Sequence, residues 1–186
     1  MALGMEHRDF EYRDAWCTWL KSRMPDNPYS VTLYLKQRFR RTTESRLWSL
    51  RDEGGKSNIG YRDHTPVTSS VGITPEYVAN NFRHFQNVLN RRVFRSKARK
   101  QGLHLDCINS VERSNQHRWH HHLIIGRPNN IPDPAFEAMI RESWGKTDWG
   151  YNAGKIKPTA NDGWVRYITK LKSEHCYIDE SYTGRG

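Results

Sequence analysis

Residues 117 to 126 read HRWHHHLIIG, with four histidines in six positions. An imidazole can ligate a metal, carry a proton or, when buried, simply fill a core. Spacing decides between these roles. The run from Trp119 to Ile125 has the apolar content and length of a strand, so its side chains alternate between two faces. Trp119, His121, Leu123 and Ile125 share a mostly apolar face that belongs to the core. His120, His122 and Ile124 share the other. Two imidazoles two residues apart on one strand can grip one metal ion. By the same sorting His117, in the preceding turn, and His121, on the core side, are not ligands.

A carboxylate completes the set. In LHLDCINSVE, residues 103 to 112, Leu105, Cys107, Asn109 and Val111 take the core face, and Asp106, Ser110 and Glu112 the other. Ser114, Asn115 and Gln116 read as the turn of a hairpin. Pairing Val111 with His121 sets Glu112 opposite His120 on the outer face. Glu112, His120 and His122 then form a donor set suited to Mg²⁺ or Mn²⁺ with positions left for a substrate; zinc would bind the same donors.

The second chemical feature is Tyr167-Ile168-Thr169-Lys170, on a helix expected over 164 to 174 behind an Asn161-Asp162-Gly163 start. Trp164, Ile168 and Leu171 make its apolar stripe, and Tyr167 and Lys170 lie one turn apart on a neighbouring face. A phenol with a pKa of ~10 attacks phosphorus poorly unless a cation assists it. Alone, this pair is an ordinary solvated surface feature. Beside a metal site it is a nucleophile and its helper.

These residues need a scaffold. Residues 5 to 23 are expected as a helix carrying Phe10, Trp16, Trp19 and Leu20, ended by PDNP. YSVTLYL, 29 to 35, alternates as a half-buried strand. Residues 36 to 73 are polar, glycine-rich and charged, and read as an insertion or mobile loop holding Arg38, Arg40, Arg41, Arg46 and Arg51. Thr74 and Pro75 then open a helix with Tyr77, Val78, Phe82, Phe85, Val88, Leu89 and Val93 at helical spacing. Arg91, Arg92, Arg95, Lys97, Arg99 and Lys100 crowd its end, which suits the helix dipole; Arg92, Arg95 and Lys97 are candidates for phosphate contact. A helix over 132 to 145 and a short strand over 149 to 158 complete a β-α-β-β-α-β order. The expectation is α+β: a ferredoxin-like (RRM-like) antiparallel sheet with helices on one face and an open catalytic face.

At 186 residues the chain has room for one domain: a helical extension over 1–28, a core over 29–178 and a tail over 179–186. Its net charge of +10, with seven Trp and nine Tyr, favours single-stranded nucleic acid, whose bases stack on rings while cations track phosphates. Cys17, Cys107 and Cys176 form no CxxC pair and suggest no disulfide framework. No secretory leader or membrane-spanning stretch is apparent, so a cytoplasmic location is expected.

HHH at 120 to 122, followed by Tyr167-Ile168-Thr169-Lys170, resembles the HUH endonucleases, in the order found in rolling-circle replication initiators (Rep proteins) with one tyrosine. The likeness covers roughly residues 29 to 174. It implies a divalent metal on His120, His122 and a nearby polar residue, and nicking and rejoining of single-stranded or hairpin origin DNA. Tyr167 would attack the phosphodiester through a 5′-phosphotyrosine adduct, with Lys170 stabilising charge. This would start rolling-circle replication of a plasmid, phage or related element. Ser30 to Tyr34 is similar to the family's first strand, which places Thr32 and Tyr34 at the DNA. No GxxxxGK[ST] loop is present, so a separate helicase and polymerase would be partners. The middle HUH residue is usually bulky and hydrophobic, whereas here it is His121. Tyr151 and Tyr177 are fallback nucleophiles. A single-strand transposase of the same superfamily and a non-catalytic ferredoxin-like nucleic-acid-binding protein are the alternatives. So is a metal-dependent hydrolase without a covalent step.

Overall fold

The computed structural model describes residues 3–44, 66–113, 118–170 and 177–179. In chain order the elements are α1 (Leu3–Ser22), β1 (Pro28–Leu35), β2 (Arg38–Glu44), β3 (Pro66–Gly72), α2 (Pro75–Phe94) and α3 (Ser96–Lys100). They continue with β4 (Cys107–Arg113), β5 (Trp119–Gly126), α4 (Asp133–Gly145), β6 (Gly150–Lys157), α5 (Asp162–Ile168) and β7 (Tyr177–Asp179). Five strands form an open antiparallel sheet in the order β6-β1-β5-β4-β7. The chain is therefore α+β, as expected.

Alternation decides the layers. Tyr29, Val31, Leu33 and Leu35 of β1, with Cys107 and Val111 of β4 and Leu123 and Ile125 of β5, are buried against α2 and α4. α2 begins where Thr74 accepts a hydrogen bond from the Tyr77 amide, with proline at its first turn. It buries Val78, Phe82, Phe85, Val88 and Leu89. α4 contributes Phe136, Ile140 and Trp144, and the Trp144 indole N–H donates to the Tyr34 carbonyl at 3.0 Å.

The opposite face is not wholly open, which corrects the expectation that helices would occupy one face alone. Cys17 and Leu20 of α1 and Val165 and Ile168 of α5 pack with Ile108 and Ile124 in a second, smaller core. Ile108 and Ile124 are apolar residues on the outer face, and apolar surface there is stabilised by a cover. The helices close the end of that face around these two residues. His120 and Glu112, further along the strands, lie beyond it.

The stretch over 36–73 was expected to be an insertion or mobile loop. Its two ends pair as an antiparallel ribbon, Arg38 with Gly72 through to Glu44 with Pro66. The middle of the stretch, with Arg46 and Arg51, lies outside the described residues, as do the 114–117 turn with His117 and the tail after residue 179. The helix expected over 164 to 174 is described only to Ile168, with Thr169 as its C-cap, and residues 171–176 lie outside the described set. Among the described residues no helix is long and apolar enough to cross a membrane.

Candidate active site

The β4–β5 hairpin has the register expected from sequence: Val111 faces His121 and Glu112 faces His120. One strand further on, Thr32 of β1 pairs with His122. Glu112, His120 and His122 offer donor atoms that all lie within 4.8 Å of one another. Glu112 Oε2 is 3.2 Å from His122 Nε2 and 3.5 Å from His120 Nε2. Glu112 and His122 are buried, and His120 is partly exposed.

The hydrogen-bond partners of these groups are compatible with a cation between them. A carbonyl only accepts, so His120 Nδ1–H donates to the Arg118 carbonyl at 3.2 Å. In that tautomer the lone pair lies on Nε2, facing a carboxylate oxygen. Two acceptors facing each other are satisfied by a shared proton or a metal ion. Thr32 Oγ1 lies 3.2 Å from His122 Nδ1 and holds that ring by its outer nitrogen, leaving Nε2 towards Glu112. Partners on the outer nitrogens, with Nε2 turned inward, are how proteins orient metal-binding histidines. The residues present therefore fit a divalent cation.

His121 does something else. It is fully buried and stacked on Phe82 at 4.8 Å, with Trp144 edge-on at 5.9 Å. Its Nδ1–H donates to Asn109 Oδ1 at 2.9 Å. Burial, then repulsion from His120 and His122, pushes its pKa down to about 3. It is a neutral core residue in the place where a bulky apolar one would serve.

Tyr167 reaches this site from α5. At seven residues this helix is too short to hold itself and takes its orientation from its contacts. Asn161 caps its start by accepting from the Trp164 amide at 3.1 Å. The Trp164 indole donates to the Leu123 carbonyl at 3.1 Å, and Ser110 Oγ donates to the Ile168 carbonyl at 3.0 Å. α1 holds the other side: Cys17 Sγ lies 3.1 Å from Thr169 Oγ1, Arg13 donates to the Arg166 carbonyl at 3.1 Å, and Lys21 pairs with Asp162 at 2.5 Å. So held, the Tyr167 ring stands edge-on to His122, centroids 5.0 Å apart, and remains 36% exposed.

The remaining candidates divide. Lys170 follows the C-cap; its amide donates to the Tyr167 carbonyl at 3.2 Å, and its side chain is exposed. Tyr34 lies on the site face, its ring 6.1 Å from that of His120. Arg92, Arg95 and Lys97 are not brought to the site. Arg92 pairs with Glu142 of α4, in the helical layer on the far face of the sheet, and Arg95 and Lys97 follow the end of α2. Tyr151 is 73% exposed on β6. Sequence reasoning missed Trp164 as a site residue. Its ring stacks on Tyr167 at 5.3 Å and 14°, and meets His122 edge-on at 5.5 Å. The three-residue spacing of Trp164 and Tyr167 was the available signal. Thr32, expected at the DNA, is buried with its hydroxyl on His122.

Comparison of the chain with protein-family models, curated proteins and solved structures gives no match. The functional reading therefore rests on the site.

Proposed function

We propose that this chain is a metal-dependent endonuclease and strand transferase of the HUH type, which nicks and rejoins single-stranded DNA through Tyr167 in the manner of a rolling-circle replication initiator. One observation carries the reading. A cage of two imidazoles and a carboxylate lies on a sheet face, and a partly exposed tyrosine on a separately held helix stands against one of those imidazoles. The strand order β6-β1-β5-β4, with α2 and α4 on one face, supports a ferredoxin-like arrangement of the scaffold.

Glu112, His120 and His122 would hold Mg²⁺ or Mn²⁺. A bound divalent ion supplies Lewis-acid polarisation of a phosphoryl oxygen. The rest is the work of the chain's own residues. Thr32 and the Arg118 carbonyl fix the two imidazoles. α1, Trp164 and Ser110 fix the helix that aims Tyr167. The Tyr167 oxygen would form a bond to phosphorus as the bond from phosphorus to the 3′ oxygen breaks. The phenolic proton is lost to solvent, and the departing 3′ oxygen takes one up. The products are a 5′-phosphotyrosine and a free 3′-OH, and reversal by a 3′-OH rejoins the strand without ATP. Lys170, three residues after Tyr167, would place its cation near the developing charge.

The test is a denaturing gel of the full chain with Mn²⁺ and a pool of single-stranded oligonucleotides. The expected result is an SDS-resistant protein–DNA band, lost in Tyr167→Phe and in chelator. A shift seen on native gels alone, unchanged by Tyr167→Phe, would remove the covalent step and leave a nucleic-acid-binding module.

A further inference from the structure

We propose that the Tyr34 ring, held with one edge against Gly154, is a stacking shelf for one base of a single-stranded polynucleotide beside the metal cage. This rests on the reading of the site as one for single-stranded DNA. Tyr34 follows Thr32 by two residues on β1 and so shares the site face with it. Its ring is tilted by 42° to that of His120 at 6.1 Å and is 42% exposed. An aromatic ring this exposed on a central strand is unusual, because its neighbours Tyr29 to Leu33 and Leu35, on both faces of β1, are buried.

Gly154 explains how the ring is held. Val31 pairs with Ile156 and Leu33 with Ala153, so Gly154 and Lys155 together face Thr32 in a bulge of β6. A Cβ built on Gly154 would lie 2.3 Å from Cε2 and 3.0 Å from Cδ2 of Tyr34. The Cδ2–Cε2 edge of the ring therefore occupies space that a side chain would take. Gly154 does not have a positive φ, so the glycine serves close approach rather than a turn. Held at that edge, the ring keeps a partly exposed aromatic surface beside the cage. Lys155, next along the bulge, is exposed and supplies a cation of the kind that tracks a phosphate chain. A base inside a duplex is already stacked, so such a shelf takes an unpaired base.

The experiment measures anisotropy of a fluorescein-labelled oligothymidylate with the full-length chain in chelator, where no cleavage competes. Tyr34→Ala is expected to weaken binding roughly five- to 150-fold, the worth of one stacked base. Tyr34→Phe, which keeps the ring, should stay within about twofold. Gly154→Ala should weaken binding by displacing the ring, with an unchanged circular dichroism spectrum and melting temperature close to wild type. Wild-type affinity in both Tyr34→Ala and Gly154→Ala overturns the shelf, as does a Tyr34→Phe protein as weak as Tyr34→Ala. No binding by the wild-type chain overturns it too. If the shelf fails while the Tyr167 adduct forms, the nuclease stands without it. Ring-dependent binding with no adduct leaves the shelf and removes the nuclease.

Discussion

Replacing His121 by leucine, beside His120→Ala and His122→Ala, separates a core histidine from its two neighbours proposed as ligands. His121 is buried among Phe82 and Trp144, and its Nε2 has no hydrogen-bond partner among the described residues. Leucine removes that orphaned atom, which is worth about 1–3 kcal/mol to the fold. It also deprives Asn109 Oδ1 of its donor, at a similar cost of about 1–3 kcal/mol, and loses a ring stack worth roughly 0.5–1.5 kcal/mol. The balance is a loss on the order of 1 kcal/mol, small beside the ~5–15 kcal/mol that stabilise a domain. Asn109→Leu in the same chain removes the stranded oxygen and should recover most of it. Metal binding, measured by Mn²⁺ titration with electron paramagnetic resonance, should survive His121→Leu within a few-fold. Thr32→Val removes a partner from the outer nitrogen of His122 and should cost about 10–100-fold in affinity. His120→Ala, His122→Ala and Glu112→Gln remove donors themselves and should cost more than that. A folded His121→Leu protein that binds no Mn²⁺, or a His122→Ala protein that binds it normally, would refute the assignment of ligands by strand face.

Leu20 of α1 is fully buried against α5, and Leu20→Ala should destabilise the chain by about 2–5 kcal/mol in urea unfolding. In folded Leu20→Ala the Tyr167 adduct should form more slowly while Mn²⁺ affinity holds, and equal loss of both would remove the separate role given to α1. Tyr29 is buried with its hydroxyl donating to Asp133 Oδ1 at 2.6 Å; desolvation first, and then Asp133, raise its pKa well above the ordinary 10.0. A group with a raised folded pKa keeps its proton after the unfolded chain has lost its own, so stability is full below pH ~10 and falls as pH rises above it. Urea midpoints measured from pH 8 upward should show this alkaline loss, and Tyr29→Phe should flatten it.

How much of this could be read from sequence depends on the range of the interaction involved. The β4–β5 hairpin was legible in detail because a strand has a period of two and both strands carry apolar residues on one side. Leu123 and Ile125 against Cys107 and Val111 leave one register in which the core face stays apolar, and Glu112 opposite His120 follows from it. The β2–β3 ribbon was not legible as strand. RFRRTTE and PVTSSVG carry little apolar alternation, and the pairing is backbone to backbone. The cover over the outer face was hidden for a related reason. α1 buries only Cys17 and Leu20 among its described side chains, too few to mark which surface it seeks. The bulge that places Gly154 beside the edge of the Tyr34 ring depends on how β6 meets β1, and no local pattern in WGYNAGKIKP announces it.

The two halves of the candidate site are thus held by different physics. The cage belongs to adjacent strands, where backbone pairing fixes Glu112, His120 and His122 relative to one another through hydrogen bonds that are hard to break one at a time. The tyrosine belongs to a seven-residue helix kept in place by one indole, one serine and the side of α1. Such a helix has few contacts of its own to lose, so it lies nearer the low-stability end of the fold than the sheet does. On the proposed function, a nucleophile that becomes bonded to a long polymer must tolerate movement of that polymer, whereas metal ligands must keep their spacing to within tenths of an ångström. A rigid hairpin for the cage and a short, separately pinned helix for Tyr167 meet both demands. On this view substitutions in α1 change the rate of adduct formation and substitutions in β4 and β5 change metal affinity, with Trp164 and His122, whose rings touch, as the place where the two effects couple.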